Sequence, residues 1–270
     1  YKIISIDNYS TGRKKNHIKN KRIRYLKAEN SNISTTLKKF KSKISTVFHF
    51  GEFSRIYMSF KLIDKCYNSN MVGTFKVVKF CSDNNIRIIY SASSSKFGNE
   101  GKDEHLSPYS WSKSKNIEFI KNFSKWYNLK YEILYFYNVY GPKQISVGKM
   151  ATVIGIFENQ YKNNKPLTVV KPGNQSRRFT HIDDTVDACL YAWKKNNCRH
   201  YSISNKKSYT ILEVAKMFNT KIKFLAARKG ERYASALTNM NLSNKVYKIF
   251  GKISLKNYIK NIVNHQKINT

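Results

Sequence analysis

A tyrosine and a lysine four residues apart, in the run Tyr109-Ser110-Trp111-Ser112-Lys113, are the residues whose types and spacing most plainly suggest chemistry. On a helix, positions i and i+4 share one face. A free phenol ionises near pH ~10 and is a poor base at neutrality. An ammonium beside it favours the phenolate, and the pair can then take a proton from a hydroxyl while hydride leaves the same carbon. Alone the spacing is weak, because a surface Tyr and Lys on an ordinary helix would read the same way. A second feature lies just upstream. Ile89-Tyr90-Ser91-Ala92-Ser93-Ser94-Ser95 reads as a strand running into a serine-rich turn. A serine hydroxyl at the carboxyl end of a parallel strand, where ligands bind, can hydrogen-bond the reacting oxygen and set it near the tyrosine.

The elements that must position these groups alternate between strand and helix. Residues 2–6 form a short apolar run closed by Asp7, then the polar loop Asn8-Tyr9-Ser10-Thr11-Gly12. Strands are expected at 23–27, 46–50, 87–91 and 131–136, and helices at 37–40, 70–80 and 109–126. This alternation requires parallel crossovers, so the fold class is α/β with a doubly wound parallel sheet. Beyond Asn138 the rhythm breaks. Helices are expected at 152–161, 183–194, 211–218 and 255–263, with strands at 167–170 and 200–204. The division follows: residues 1–137 form a nucleotide-binding domain and residues 138–270 a smaller substrate-binding lobe, with 181–205 returning to the first domain.

On these motifs the chain resembles the extended short-chain dehydrogenase/reductase family, closest to UDP-glucose 4-epimerase-like proteins. The resemblance implies a Rossmann-like domain, NAD as cofactor and a UDP-linked hexose or N-acetylhexosamine as substrate. It implies Ser93, Tyr109 and Lys113 as the catalytic set. Asp7 and Asn8 would meet the adenosine ribose, where an acid prefers NAD to a 2′-phosphorylated cofactor. Val47-Phe48-His49-Phe50-Gly51 resembles the strand beside the cofactor, and Asn70-Met-Val-Gly73-Thr74 the family's N-x-x-G-T helix start. Phe50, Gly51, Asn70, Ser91 and Tyr137 are accordingly assigned to the cofactor, with Tyr109 and Lys113. Tyr137-Asn138-Val139-Tyr140-Gly141-Pro142 resembles F-N-V-Y-G-P, whose Asn contacts the diphosphate. Gly173 to Asp184 resembles G-x-x-x-R-D-F-x-x-V-x-D, which makes Arg177 a diphosphate ligand. Arg228-Lys-Gly230-Glu231 resembles the late R-x-G-[DE]. Guanidinium forks suit phosphate oxygens. Ser93, Ser94, Asn138, Arg177, Arg228, Glu231 and Ser235 form the expected substrate set. Ser235, small where some relatives carry Tyr, would leave room for an N-acetyl group.

Two departures qualify this. None of the eleven glycines builds the family's G-x-x-G-x-x-G loop after a strand, and that loop lets the backbone approach the pyrophosphate at a helix N-terminus. The expectation is a Rossmann-like fold lacking its first strand, loop and helix, which would bind NAD poorly. Tight stoichiometric NAD on this chain would refute that. In addition, Arg178 replaces the usual acid after Arg177, and no acid stands at 30–32. Dehydratases of the family carry an Asp-Glu pair beside the catalytic Ser/Thr, and Ser94-Ser95-Lys96 stands there instead. The implied reaction is therefore C4 epimerisation through a transient 4-keto sugar, with a dehydratase or reductase as alternatives.

Composition bounds the rest. The formal net charge is +34 from 50 Lys+Arg against 16 Asp+Glu. Such a charge attracts nucleic acid, and a basic non-catalytic nucleic-acid-binding relative is the competing reading. The basic residues are scattered and form no stripe, which favours a compositional origin, and the retained Tyr–Lys–Ser set favours an enzyme. Four cysteines in no C-x-x-C array and no zinc-spaced Cys/His cluster fit a reduced cytoplasmic protein without a metal. No apolar run approaches the ~18–20 residues of a spanning helix. The resemblance further implies a homodimer through the helices carrying Asn70 and Tyr109.

Overall fold

The computed structural model describes residues 1–227 and 246–268, without the side chains of 97–102 and 267–268. Its strands are β1 Ile3–Asp7, β2 Ile23–Lys27, β3 Thr46–His49, β4 Arg87–Ser93, β5 Tyr131–Phe136, β6 Val139–Tyr140, β7 Leu167–Val170, β8 Ser176–Arg178, β9 Thr180–His181, β10 His200–Ser204, β11 Ser208–Thr210, β12 Ile222–Leu225 and β13 Val246–Phe250. The helices are α1 Ile33–Thr36, α2 Ile56–Lys61, α3 Ile63–Tyr67, α4 Thr74–Asp83, α5 Pro108–Tyr127, α6 Val153–Lys162, α7 Ile182–Lys195, α8 Ile211–Lys216 and α9 Leu255–Ile268.

The central sheet has the order β13-β10-β5-β4-β3, parallel throughout. Successive strand residues point to opposite faces, and the sequence uses both. On β4 and β5, Ile88, Tyr90, Ala92, Ile133 and Tyr135 pack with Val77, Val78 and Cys81 of α4 and Ile117 and Ile120 of α5. The residues between them, Ile89 and Leu134, pack with Ala188, Cys189 and Ala192 of α7 and with Tyr201 and Ile203 of β10. Helices thus cover both faces, and the fold is a Rossmann-like α/β sheet. A third core joins Ile154 and Phe157 of α6, Leu167 and Val169 of β7, Val214 and Ala215 of α8, and Leu255 and Ile259 of α9. This is the lobe beyond Asn138.

β1 and β2 form a separate parallel pair, with Ile3 opposite Ile23 and Asp7 opposite Lys27. This pair is not hydrogen-bonded to the central sheet, although Ile4, Ile6 and Leu26 pack on the same core as β4 and α5. β1 and β3 each therefore have one edge without a strand partner among the described residues.

Two segments depart from the sequence expectation. The helix expected at 37–40 lies earlier, at Ile33–Thr36, because Ile33 and Leu37 are the residues one turn apart that enter the core. The helix expected from residue 70 begins as a π-helical stretch, Asn68–Gly73, before α4. Widened turns of this kind collect at functional sites.

A buried ion pair fastens α7 to the sheet. Glu132, on β5, is fully buried. Its Oε1 accepts from Asn197 N at 2.7 Å and Cys198 N at 3.2 Å, and its Oε2 from Arg199 N at 3.0 Å. Arg87 reaches Glu132 at 3.2 Å and also donates to the carbonyls of Ala192 and Trp193 in the last turn of α7. A cation on those orphan carbonyls completes the helix end.

Candidate active site

Tyr109 stands in the first turn of α5. Ser107 caps that helix by accepting Ser110 N at 3.1 Å, and Pro108 occupies its first position, where a missing N–H costs nothing. Lys113 follows one turn later and is buried, 5% exposed. Its Nζ donates to the carbonyl of Ser91 at 2.5 Å, near the carboxyl end of β4. It also lies 4.9 Å from the centre of the Tyr90 ring. The lysine is thus fixed between α5 and the strand that ends in Ser93.

Ser93 has little exposure and caps the following 3-10 turn, its Oγ accepting from Ser95 N at 3.2 Å and Ser95 Oγ at 2.9 Å. With its oxygen accepting, its own O–H proton is the group left to donate to a ligand. Ser94 is buried beside it. Ser91 directs its Oγ to His49 O at 3.3 Å.

A residue that the sequence reading did not single out lies at the centre of this arrangement. The side chain of Glu52, one residue past Gly51, is 1% exposed and forms an ion pair with Lys113. Its Oε1 accepts from Thr74 Oγ1 at 2.8 Å, Asn116 Nδ2 at 3.0 Å and Tyr90 O–H at 3.1 Å. Thr74 in turn meets His49 Nε2 at 2.8 Å. Burial holds His49 down at about 4, with Glu52 partly opposing the shift, so the imidazole is neutral at pH 7. Burial, then Glu52, pushes the Tyr90 phenol well up. An acid directly after the strand-closing glycine was the only signal in the sequence.

The loop between β3 and α2 is held by two asparagines. Asn70 is fully buried, and its carboxamide accepts from Phe53 N at 2.7 Å and donates to Phe53 O at 3.2 Å and Ser112 Oγ at 3.0 Å. Asn30 donates to Gly51 O at 2.9 Å and Ser69 O at 2.8 Å. The structure therefore places Asn70 as a clamp on the loop and on α5, not as a side chain facing a ligand. Tyr137 is likewise buried, its phenolic oxygen accepting from Ser202 Oγ at 3.2 Å. Phe50 is exposed and packs edge-on to Phe136 at 5.5 Å. A Cβ built on Gly51 would meet nothing within 4 Å, so an open strip runs along the carboxyl end of β3.

At the end of β1, Asp7 Oδ1 accepts Tyr9 N at 2.7 Å, and Asn8 Nδ2 donates to Glu29 at 3.0 Å. A Cβ on Gly12 would lie 2.5 Å from the Asp7 carboxylate, which would have to shift to admit it. An acid at a strand's carboxyl end and the bare strip at Gly51 suit the ribose and the flat body of a dinucleotide.

Beyond β5, Asn138 takes a positive φ of 25° and donates to Arg178 O at 2.9 Å, and its Oδ1 has no hydrogen-bond partner among the described residues. Arg177 is 8% exposed on β8 and donates to Ser176 O at 2.7 Å. Arg178, in the place of the expected acid, donates to Asn205 O at 3.1 Å and to Lys206 O. It thereby ties β8 to the turn before β11. Arg228, Glu231 and Ser235 lie outside the described residues.

The model of the NAD dependent epimerase/dehydratase family matches residues 1–204. A putative UDP-glucose 4-epimerase of Methanocaldococcus jannaschii is 28% identical over 289 aligned positions, covering 100% of this chain and 92% of its own. Among solved structures, the UDP-glucose 4-epimerase of Thermotoga maritima with UDP-glucose superposes with a TM-score of 0.85 at 21% identity, over 100% of this chain and 92% of that one. The UDP-N-acetylglucosamine 4-epimerase of Methanobrevibacter ruminantium M1, in complex with UDP-N-acetylmuramic acid, gives 0.83 at 23% identity, over 98% and 89%. At these identities the structural likeness is one of fold.

Proposed function

The chain belongs to the NAD dependent epimerase/dehydratase family, and on that premise we propose that it epimerises a UDP-linked hexose or N-acetylhexosamine at C4 through a transient 4-keto sugar. The observation that carries this reading is that α5, which bears Tyr109 and Lys113 one turn apart, is tied through its lysine to the end of β4. There Lys113 is fixed to the Ser91 carbonyl and Ser93 keeps a hydroxyl proton to donate. NAD, when bound, would supply the acceptor and later the donor for the C4 hydride. Tyr109 takes the 4-OH proton and gives it back once the sugar has presented its other face. Ser93 donates to the same oxygen and holds it in place. Asp7, Gly51 and Lys113 would hold the cofactor, and Arg177 the diphosphate, where a planar fork meets phosphate oxygens. No oxidant or reductant is consumed. A homodimer through α4 and α5 is part of the proposal: Phe75 and Trp111 are exposed apolar side chains on these helices.

The test is to incubate the chain and NAD with UDP-galactose, and separately with UDP-N-acetylgalactosamine, and to follow the anomeric proton signals by NMR. The gluco epimer should appear without added reductant. Tyr109→Phe should lower turnover by about 10²–10⁴-fold, the usual scale of general acid–base catalysis. Wild-type-like turnover in that variant would end the assignment. Dependence on added NADPH, or loss of water from the sugar, would move the assignment to a reductase or a dehydratase.

A further inference from the structure

We propose that Glu52 is a positioning residue of the active site, which pins the Lys113 ammonium against the Ser91 carbonyl and cancels its charge within the core. The inference deepens the proposed function, on which it rests for the role of Tyr109. Three observations support it. First, the two side chains are 1% and 6% exposed and directly paired, so water does not screen them. Second, Glu52 is engaged by four donors on three elements: Lys113 and Asn116 of α5, Tyr90 of β4 and Thr74 of α4 all donate to it. A carboxylate held by four donors cannot swing away from the lysine. Third, Lys113 gives one N–H to Glu52 and one to Ser91 O. A further, long contact to Ser91 Oγ at 3.5 Å helps to set the direction of the ammonium, whose three donors are all turned toward named partners.

The charge account of this pocket can be completed. Facing the pair are His49 on β3, Tyr90 on β4, Cys66 on α3 and Arg55 before α2. Burial keeps His49 neutral at pH 7 and pushes Cys66 up to about 11, and Tyr90 is held well above the ordinary phenol. Lys96 and Glu104, at Ser114 of α5, are paired to each other at 2.8 Å. With Lys113 and Glu52 cancelling, Arg55 is a cation near Tyr109 with no ion-pair partner among the described residues. It donates to Met150 O at 2.8 Å and Ser54 O at 2.9 Å. Lys113 thus serves here mainly as a fixed hydrogen-bond donor, its field on the phenol offset by Glu52.

A negative charge close to the site opposes every deprotonation near it. Its removal therefore moves both limbs of the pH profile of kcat to lower pH. As a general scale, a unit charge acting over roughly 6–8 Å at an effective dielectric of ~20 moves a titration by about one to two pH units. The experiment measures turnover against pH for wild type, Glu52→Gln and Glu52→Asp. It is run beside competitive reductive methylation of lysines read by mass spectrometry, which needs no turnover. The expected result is that both limbs fall by about one to two units in Glu52→Gln and stay within ~0.3 unit in Glu52→Asp, which keeps the charge. Methylation of Lys113 should rise at least ~10-fold relative to Lys115 and Lys121 in Glu52→Gln, and several-fold in Glu52→Asp, whose carboxylate is drawn back by one methylene. Slower turnover with unmoved limbs, or unchanged Lys113 labelling, would overturn the proposal. Should Glu52→Gln fail to fold, unchanged labelling in Glu52→Asp does so alone. Absence of turnover with every nucleotide sugar, together with the expected labelling, would instead overturn the proposed function and leave the pin standing.

Discussion

Replacing Glu132 by alanine should cost this fold more than a typical core truncation. The carboxylate is fully buried and accepts from the backbone N–H groups of Asn197, Cys198 and Arg199 as well as from Arg87. Its removal leaves three part-buried backbone donors without their acceptor, each worth at most about 1–3 kcal/mol when unmet. It also leaves the Arg87 guanidinium with only the carbonyls at the end of α7. Breaking a buried ion pair from one side costs about 3–5 kcal/mol. The two estimates overlap, because water admitted to the space relieves part of the N–H cost, and we expect a loss of about 4 kcal/mol. With a urea slope of about 3 kcal/mol/M, at the upper end for proteins, the midpoint should fall by about 1.3 M. The assay is urea unfolding followed by far-UV circular dichroism. The double variant Arg87→Met/Glu132→Ala should be less unstable than the sum of its single variants, because the two side chains share one network. A fall of less than about 0.3 M in Glu132→Ala, with an unchanged slope, would refute the view that this carboxylate locks α7 to the sheet.

Acid should act through His49. The ring is neutral because burial holds it at about 4, below its ordinary 6.5, so the unfolded chain protonates first as pH falls. The stability contributed by neutral His49 is therefore complete above ~6.5 and is lost towards pH ~4, about 3 kcal/mol in all. Urea midpoints between pH 7 and pH 4.5 should fall less steeply in His49→Gln than in wild type, and parallel slopes would contradict this. Gly73→Ala should also destabilise, by about 1–3 kcal/mol, since the new Cβ collides with the Asn30 side chain that bridges Gly51 and Ser69. A melting temperature equal to wild type would refute it.

How much of this was readable beforehand depended on where the deciding contact lay. The strands at 23–27, 131–136, 167–170 and 200–204 appear at the expected residues, because each is an apolar run closed by its own turn signal. The helix carrying Tyr109 and Lys113 was set by local chemistry as well: a serine cap, a proline at the first position and apolar residues at helical spacing. The π turn at Asn68–Gly73 was not readable, since it answers to Asn70 reaching Phe53 and Ser112 far along the chain. Glu52 escaped for the same reason. It lies 61 positions from Lys113, and an acid after a glycine looks like part of a solvated loop until β3, β4, α4 and α5 have closed around it. Asn70 and Tyr137 were assigned to the cofactor by motif, and only burial shows that their polar atoms face the protein interior.

The unpartnered edges of β1 and β3 have a consequence for the behaviour of many copies together. An open strand edge is a template for pairing with another chain, and an apolar one invites aggregation. Ile3 on β1 is exposed, as are Phe48 on β3 and Phe50 just past it. Mutual repulsion from the +34 charge opposes pairing at these edges, and salt weakens it: the screening length shrinks from ~30 Å at 0.01 M to ~10 Å at 0.1 M. Colloidal stability should therefore fall as ionic strength rises, the reverse of simple salting-in. A short parallel peptide supplied in excess should restore it by covering the open edge.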